Sequence, residues 1–366
     1  RSSLVGSEMC IRDRRTRDDV VVIATKILDR LNTPFLIDGH ELFVGASIGI
    51  AMYPEAGDSG EALIQNSDIA MYQVKGRSKN GYQFFSEEMN HQYSTRLSLE
   101  RELRNALTRD ELVVYYQPQV ALGSGGITGV EALVRWQHPR QGLLGPEAFL
   151  PLAEETGIIM QLDEAVQRQA FADVARWREQ GFENLRLSVN LSAQQLEQDN
   201  FVNRFLGHVQ MAGLDPESLK LEITEKTLMR DLEIIIPKLR ELRRQGARIA
   251  IDDFGTGYSS LSYLQQFPIH TLKIDRSFVS DIRAEEGDAS IIDAIVAMAR
   301  GLKLDLIAEG VENRTQLRYL STQGCREVQG FFFSRPVPAR QMTDLLKRNG
   351  YRELVLAETA NSAATI

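Results

Sequence analysis

The stretch RIAIDDFGTGYSSLSYLQQFPIHTLKID, residues 248–275, sets an apolar run against two adjacent aspartates, Asp252 and Asp253, with Gly255 and Gly257 close behind. Neighbouring carboxylates repel each other and resist desolvation unless a cation neutralises them. The pair therefore belongs either at a solvated strand end or around a metal. Other short apolar runs carry polar residues at or near their ends: Glu131 in GVEALVRW, Asn190 in LRLSVNLS, Glu222 and Glu225 in LKLEITE, Lys273 and Asp275 in TLKIDR, Glu309 in LDLIAEG and Gln329 in EVQGFFFS. Each alone is explained by a polar residue closing a strand. Gathered in one cleft, so many carboxylates would be strongly destabilising without divalent cations. Carboxylates with one amide suit Mg2+ or Mn2+, whereas zinc favours His and Cys. His138 and His270 read as loop residues without ligand spacing.

Such convergence needs a scaffold. From Val113 the chain alternates strand-like runs (VVYYQPQV, GVEALVRW, LRLSVNLS, LKLEITE, RIAIDDFG, TLKIDR, LDLIAEG, EVQGFFFS) with helical runs such as DEAVQRQAFADVARWREQ and LEIIIPKLRELRRQ. Eight strands and intervening helices over roughly 250 residues predict an α/β fold, a TIM-like (β/α)8 barrel, whose functional groups come from the C-terminal ends of strands. A doubly wound open sheet is the alternative, without a glycine-rich fingerprint after its first strand. DELVVYY and Phe331–Phe333 read as packing, with Phe331 the one aromatic that could reach a base.

Composition narrows the function classes. With 366 residues, 43% apolar and 25% charged, the chain reads as globular, with room for one large domain or two unequal ones. A net charge of −8 without a long Lys/Arg block argues against a nucleic-acid polymer as partner. Two distant cysteines, Cys10 and Cys325, fit a reducing compartment. No run approaches a membrane span, so the expected setting is cytoplasmic, with any membrane attachment left to upstream segments. Residues 1–14 include LVGSEMCIRD, which lacks any helix or strand period and reads as a non-native leader. Residues 15–85 carry helix, hairpin, helix and strand patterns, with a turn expected at Asp38-Gly39. Residues 86–107 read as a linking helix, 108–350 as the barrel domain and 351–366 as a loose tail.

The barrel region resembles the EAL family of cyclic di-GMP phosphodiesterases: EALVRW, VNLS, LEITE, IDDFGTGYSSLSYL, LKID, AEGVE and QGFFFS stand in the family's order. Within 15–85, ASIGIAMYP and SDIAMYQVKGRSKNGYQFF resemble the C-terminal half of a GGDEF (diguanylate cyclase type) domain. The signature hairpin of that family is expected upstream, so no cyclase activity is assigned.

The EAL resemblance implies hydrolysis of cyclic di-GMP to linear pGpG with two divalent cations, Mg2+ or Mn2+. It implies metal ligands Glu131, Asn190, Glu222, Asp252, Asp253 and Glu309, with Asp252 as the bridge. Lys273 would orient or help deprotonate the attacking water, with Gln329, Glu131 and Glu309 at the same catalytic centre. Gln117, Leu133, Arg135 and Asp275 would contact the substrate, Arg135 through a phosphate oxygen. A barrel-mouth salt bridge is the other reading of Arg135, and satisfaction by backbone that of Gln117. Glu225 would anchor the loop YSSLSYL, read as a lid or dimer contact that Gly255 and Gly257 let turn. A homodimer through the barrel follows from the same resemblance. The alternative function is a catalytically silent module that binds cyclic di-GMP.

Overall fold

The computed structural model describes residues 16–37, 39–77, 80–256, 264–282, 290–348 and 350–359. The chain forms two compact units, Arg1–Arg101 and Glu102–Ile366.

In the first unit, Thr16 caps helix α1 (Arg17–Leu31) by accepting from the Asp19 N–H. Strands β1 (Phe35–Ile37) and β2 (His40–Leu42) form the expected antiparallel hairpin. The rest of the predicted second strand is separate. Its later part, β3 (Ser47–Ile50), pairs in parallel with β4 (Gly81–Phe84) after helix α2 (Gly60–Arg77). Gly49 is required there, because a Cβ would lie 1.8 Å from the Ser67 carbonyl oxygen of α2. Helix α3 (Glu87–Ala106) carries the unit boundary within it.

In the second unit, eight strands among the described residues close into a barrel: β5 (Leu112–Ala121), β6 (Ile127–His138), β8 (Arg186–Asn190), β9 (Leu219–Thr224), β10 (Arg248–Phe254), β11 (Thr271–Ile274), β12 (Asp305–Ala308) and β13 (Glu327–Val328). A short strand β7 (Gly142–Leu144) extends β6 at the rim. From β6 round to β13 the pairings are parallel, but β5 runs antiparallel to both neighbours and closes the circle. The reason lies in the connector. Residues 122–126 are too few for a crossover helix, so β5 and β6 must form a hairpin. The eighth strand is also shorter than its sequence pattern suggests. It stops at Val328, and the chain turns at Gly330, where a Cβ would lie 2.1 Å from the Val311 carbonyl oxygen.

Period-2 alternation sorts the side chains. In β9, Leu219, Leu221 and Ile223 join the outer hydrophobic layer with Phe171 and Val174 of the helix Ile159–Glu179 and Leu239 of the helix Leu232–Arg244. Lys220 and Glu222 face inward, since their partners sit on non-adjacent strands across the barrel. The tail expected to be loose is in part ordered. Residues Arg352–Thr359 form a helix whose Val355 is buried in the core. Among the described residues, no helix is long and apolar enough to cross a membrane.

Candidate active site

The aspartate pair owes its geometry to a break in β10. Ile251 pairs with Leu272 and Phe254 with Ile274, so Asp252 and Asp253 together oppose the single residue Lys273. Asp253 takes a left-handed conformation, φ 53°, which makes the break a β-bulge. In a regular strand adjacent side chains point to opposite faces; here Asp252 is buried while Asp253 is exposed at the mouth. Partial desolvation, with Asp252 and Asp275 nearby, pushes the Asp253 carboxyl up to about 6. Strain of this kind persists where surrounding structure imposes it, and functional sites are where it clusters.

Lys273 is the hub. It is fully buried, and its Nζ lies 2.6 Å from Glu222 Oε2, 2.6 Å from Glu309 Oε1, 3.1 Å from Asp252 Oδ1 and 3.6 Å from Glu131 Oε2. The Glu309 contact is ionic without hydrogen-bond geometry. Glu131 also accepts from Asn190 Nδ2 at 3.2 Å and from Gln329 Nε2 at 2.5 Å. Gln329 in turn donates to Gln117 Oε1 at 3.0 Å, and Gln117 donates to the Ser334 carbonyl. All eight barrel strands therefore bring these groups to one end of the barrel, with Glu309 and Gln329 one residue beyond β12 and β13.

One ammonium does not balance four carboxylates. Burial would push Glu131 up, but Lys273 and the amides of Gln329 and Asn190 hold it below the usual carboxylate range. Burial, with Glu131 and Asp252 adding repulsion, pushes Glu222 up to about 8 against the pull of Lys273. Glu309 is likewise raised by burial. Burial alone would lower the Lys273 ammonium; its carboxylate neighbours reverse that and hold it well above the ordinary lysine range. Glu131, Glu222 and Asp252 each offer an oxygen within 4.8 Å of the others, and Glu222 Oε1 is buried without a hydrogen-bond partner. An oxygen-only donor set with surplus negative charge and an orphaned buried oxygen fits a hard divalent cation.

The predicted substrate contacts are spread along the rim. Leu133 and Arg135 are half-buried on the same face of β6 as Glu131. Arg135 makes no ion pair among the described residues. Its Nη1 donates to the Val134 carbonyl at 2.7 Å, and the guanidinium lies 5.9 Å from the Tyr115 ring centre, so the salt-bridge reading fails. Asp275 is occupied locally, capping the helix Arg276–Ser280 by accepting from the Ser277 N–H. Glu225 Oε2 accepts from the Gly255 N–H at 3.1 Å, tying β9 to the turn after Asp253. The loop beyond, residues 257–263, lies outside the described residues.

Two readings need correction. Phe331 is exposed, with Arg335 stacked 4.3 Å from its ring centre, while Phe332 and Phe333 pack on the core. His138 ends β6 and pairs with Glu102 Oε2 at 2.6 Å. Sequence reasoning also missed Lys220, which is buried and bonded to Gln119 Oε1 at 3.1 Å and Glu327 Oε2 at 3.2 Å. Its signal was present in LKLEITE, where Lys220 falls on the same strand face as Glu222.

Residues 100–336 match the family model described as EAL domain. The chain belongs to the EAL domain family. Residues 5–81 match the model described as Diguanylate cyclase, GGDEF domain, a range that begins inside the segment read as a leader. The chain is 43% identical over 330 residues to a Pseudomonas aeruginosa protein named bifunctional diguanylate cyclase/cyclic di-GMP phosphodiesterase MucR, covering 90% of this chain and 48% of that protein. It is 42% identical to the cyclic di-GMP phosphodiesterase NbdA of the same organism, covering 93% of this chain and 44% of that one. It thus spans about half the length of these curated relatives. A solved structure of the PaMucR phosphodiesterase in complex with c-di-GMP superposes with TM-score 0.65 at 44% identity, covering 67% of this chain and 99% of that one.

Proposed function

We propose that this chain is a metal-dependent phosphodiesterase that opens cyclic di-GMP to linear pGpG. The observation that carries the reading is the buried cluster of four carboxylates around Lys273, with one Glu222 oxygen unpartnered. The names of the relatives, and the c-di-GMP held by the PaMucR phosphodiesterase, support the substrate. Glu131, Asn190, Glu222, Asp252, Asp253 and Glu309 would hold two Mg2+ or Mn2+ ions. Such ions neutralise phosphate charge and make bound water acidic enough to attack at neutral pH. In the reaction a water oxygen bonds to phosphorus, the bond to one ribose 3′ oxygen breaks, and that oxygen takes up a proton.

The chain's own residues then divide the work. Lys273 is held charged by its neighbours, which favours orienting water and steadying the carboxylates over accepting a proton. Gln329, bridging Glu131 and Gln117, fixes the rotamers on two strands. Arg135, without a carboxylate partner, would take a phosphate oxygen, beside Leu133; Asp275 and Gln117 would line the same path. Glu225 would steady the turn at Gly255. A homodimer through the barrel and a cytoplasmic setting complete the proposal, and light scattering on the purified chain checks the first of these.

Chromatographic assay of cyclic di-GMP turnover in Mg2+ and in Mn2+ tests the activity. The expected outcome is metal-dependent pGpG from the unaltered chain and none from Glu131→Ala or Lys273→Ala. Binding without turnover in either metal would make the chain a cyclic di-GMP-binding module instead.

A further inference from the structure

The other end of the barrel holds a second constellation. A cavity of about 520 Å3 opens where β10, β11 and β12 begin, lined by Arg243, Arg248, His270, Lys303 and Asp305 over an apolar floor that includes Phe267 and Leu304. Arg248 and the acid pair lie on one strand, four residues or roughly 13 Å apart, so this cavity is distinct from the carboxylate mouth.

Its charge is the reverse of the mouth's. Asp305 is the single carboxylate in the lining, and it is already engaged by Arg248 at 2.9 Å and Arg326 at 3.6 Å. Arg243 and Lys303 pair with no carboxylate among the described residues, and the Arg248 Nε is buried without a partner. Burial and the two arginines lower His270, so its imidazole is neutral. His270 Nδ1 accepts from the Ile249 N–H at 3.1 Å, which leaves Nε2 as an N–H donor. Three cations and a neutral donor thus surround a space with one pre-committed anion.

We propose that this cavity binds a small phosphorylated molecule of nucleoside monophosphate size, its phosphate held by Arg243, Arg248 and Lys303 and its ring against the apolar floor. The volume lies within the range of small-molecule pockets. An arginine fork and a lysine are the residue types that recognise a phosphate dianion, and the apolar floor distinguishes a nucleotide from a bare ion.

Calorimetric titration of the full chain with GMP and, separately, with inorganic phosphate tests this. The variants are Arg243→Ala combined with Lys303→Asn, and Glu131→Ala as the control for binding at the carboxylate mouth. Asparagine is chosen because Lys303 has φ 57°, a conformation asparagine tolerates. Both altered side chains are exposed, and a melting curve verifies the fold. The expected result is saturable GMP binding, tighter than phosphate, weakened about tenfold or more by the double variant and unchanged in Glu131→Ala. Absence of saturation into the millimolar range, binding indifferent to the double variant, or binding lost in Glu131→Ala would each overturn the proposal.

Discussion

The barrel interior holds two buried lysines one layer apart, and their surroundings differ in a way that separates a scaffold from a site. Lys220 faces one carboxylate, Glu327, plus the amide oxygen of Gln119, and Gln119 closes the set by donating to Ser188. Arg186, 3.7 Å from Glu327, adds to the positive side. Glu327 is held below the usual range by these cations despite its burial. Every charge in that layer has an oppositely charged neighbour. Lys273 faces four carboxylates, two of which, Glu222 and Glu309, carry a buried oxygen without a hydrogen-bond partner. A balanced buried pair contributes order and little else, whereas an unbalanced one stores a demand for further cations.

Replacing each lysine by methionine, which keeps the stem and removes the charge, should break this comparison open. Lys273→Met is expected to reduce cyclic di-GMP turnover by about 10²–10⁴-fold, the range for a positioned proton-handling or orienting group. Steady-state kinetics at saturating metal reads it. Lys220→Met should act on stability instead, by about 1–3 kcal/mol, because half-buried Glu327 and the buried Gln119 amide oxygen lose their near partner while Arg186 stays 3.7 Å from Glu327. The double variant Lys220→Met with Glu327→Gln should recover most of that loss while turnover stays within a few-fold of the unaltered chain. Urea unfolding of the two variants measures it, and a double variant as unstable as the single one would show that the pair is not an isolated unit.

The sequence made the barrel legible because its strands carry strong apolar runs at even spacing, and the site legible because so many of those runs end in acids. It hid what depends on backbone detail. The reversal of β5 could have been read from the five-residue connector, 122–126, which no crossover fits. The bulge at Asp252–Asp253 could not, since left-handed φ at an aspartate leaves no mark in residue type. Lys220 is hard to read because a lysine in a strand ordinarily faces solvent; only the shared face with Glu222 contradicts that. Phe331 reads as packing with its neighbours by residue type, yet Gly330 turns the chain and leaves it exposed beside Arg335.

Metal should sharpen the contrast next. At a Mn2+ concentration about 100 times its dissociation constant, a site that binds only in the folded state adds about 2.7 kcal/mol of stability. Thermal melts with Mn2+ and with EDTA should therefore separate for the unaltered chain and for the Lys220→Met, Glu327→Gln variant alike. They should coincide for Glu222→Gln, which removes a carboxylate from the acidic triad. Equal shifts in all three would place the stabilising ion elsewhere.

Smallest per unit of pH is the effect of protons in the same role. Glu222 carries an ordinary value of 4.5 when unfolded and is pushed up to about 8 in the fold by burial and by Glu131 and Asp252. The folded state thus binds a proton that the unfolded state releases, so the stabilisation is complete below about 4.5 and is lost as pH rises through about 8. In EDTA, where no divalent cation competes for the oxygens, stability should fall across that window by at most about 1.4 kcal/mol per pH unit. Glu222→Gln should flatten the slope, because an amide cannot titrate. The Lys220→Met, Glu327→Gln variant should keep it, because Glu327 is held ionised and contributes nothing in that window. Chemical unfolding at several pH values decides between them, and a slope that survives Glu222→Gln would assign the proton to another member of the cluster.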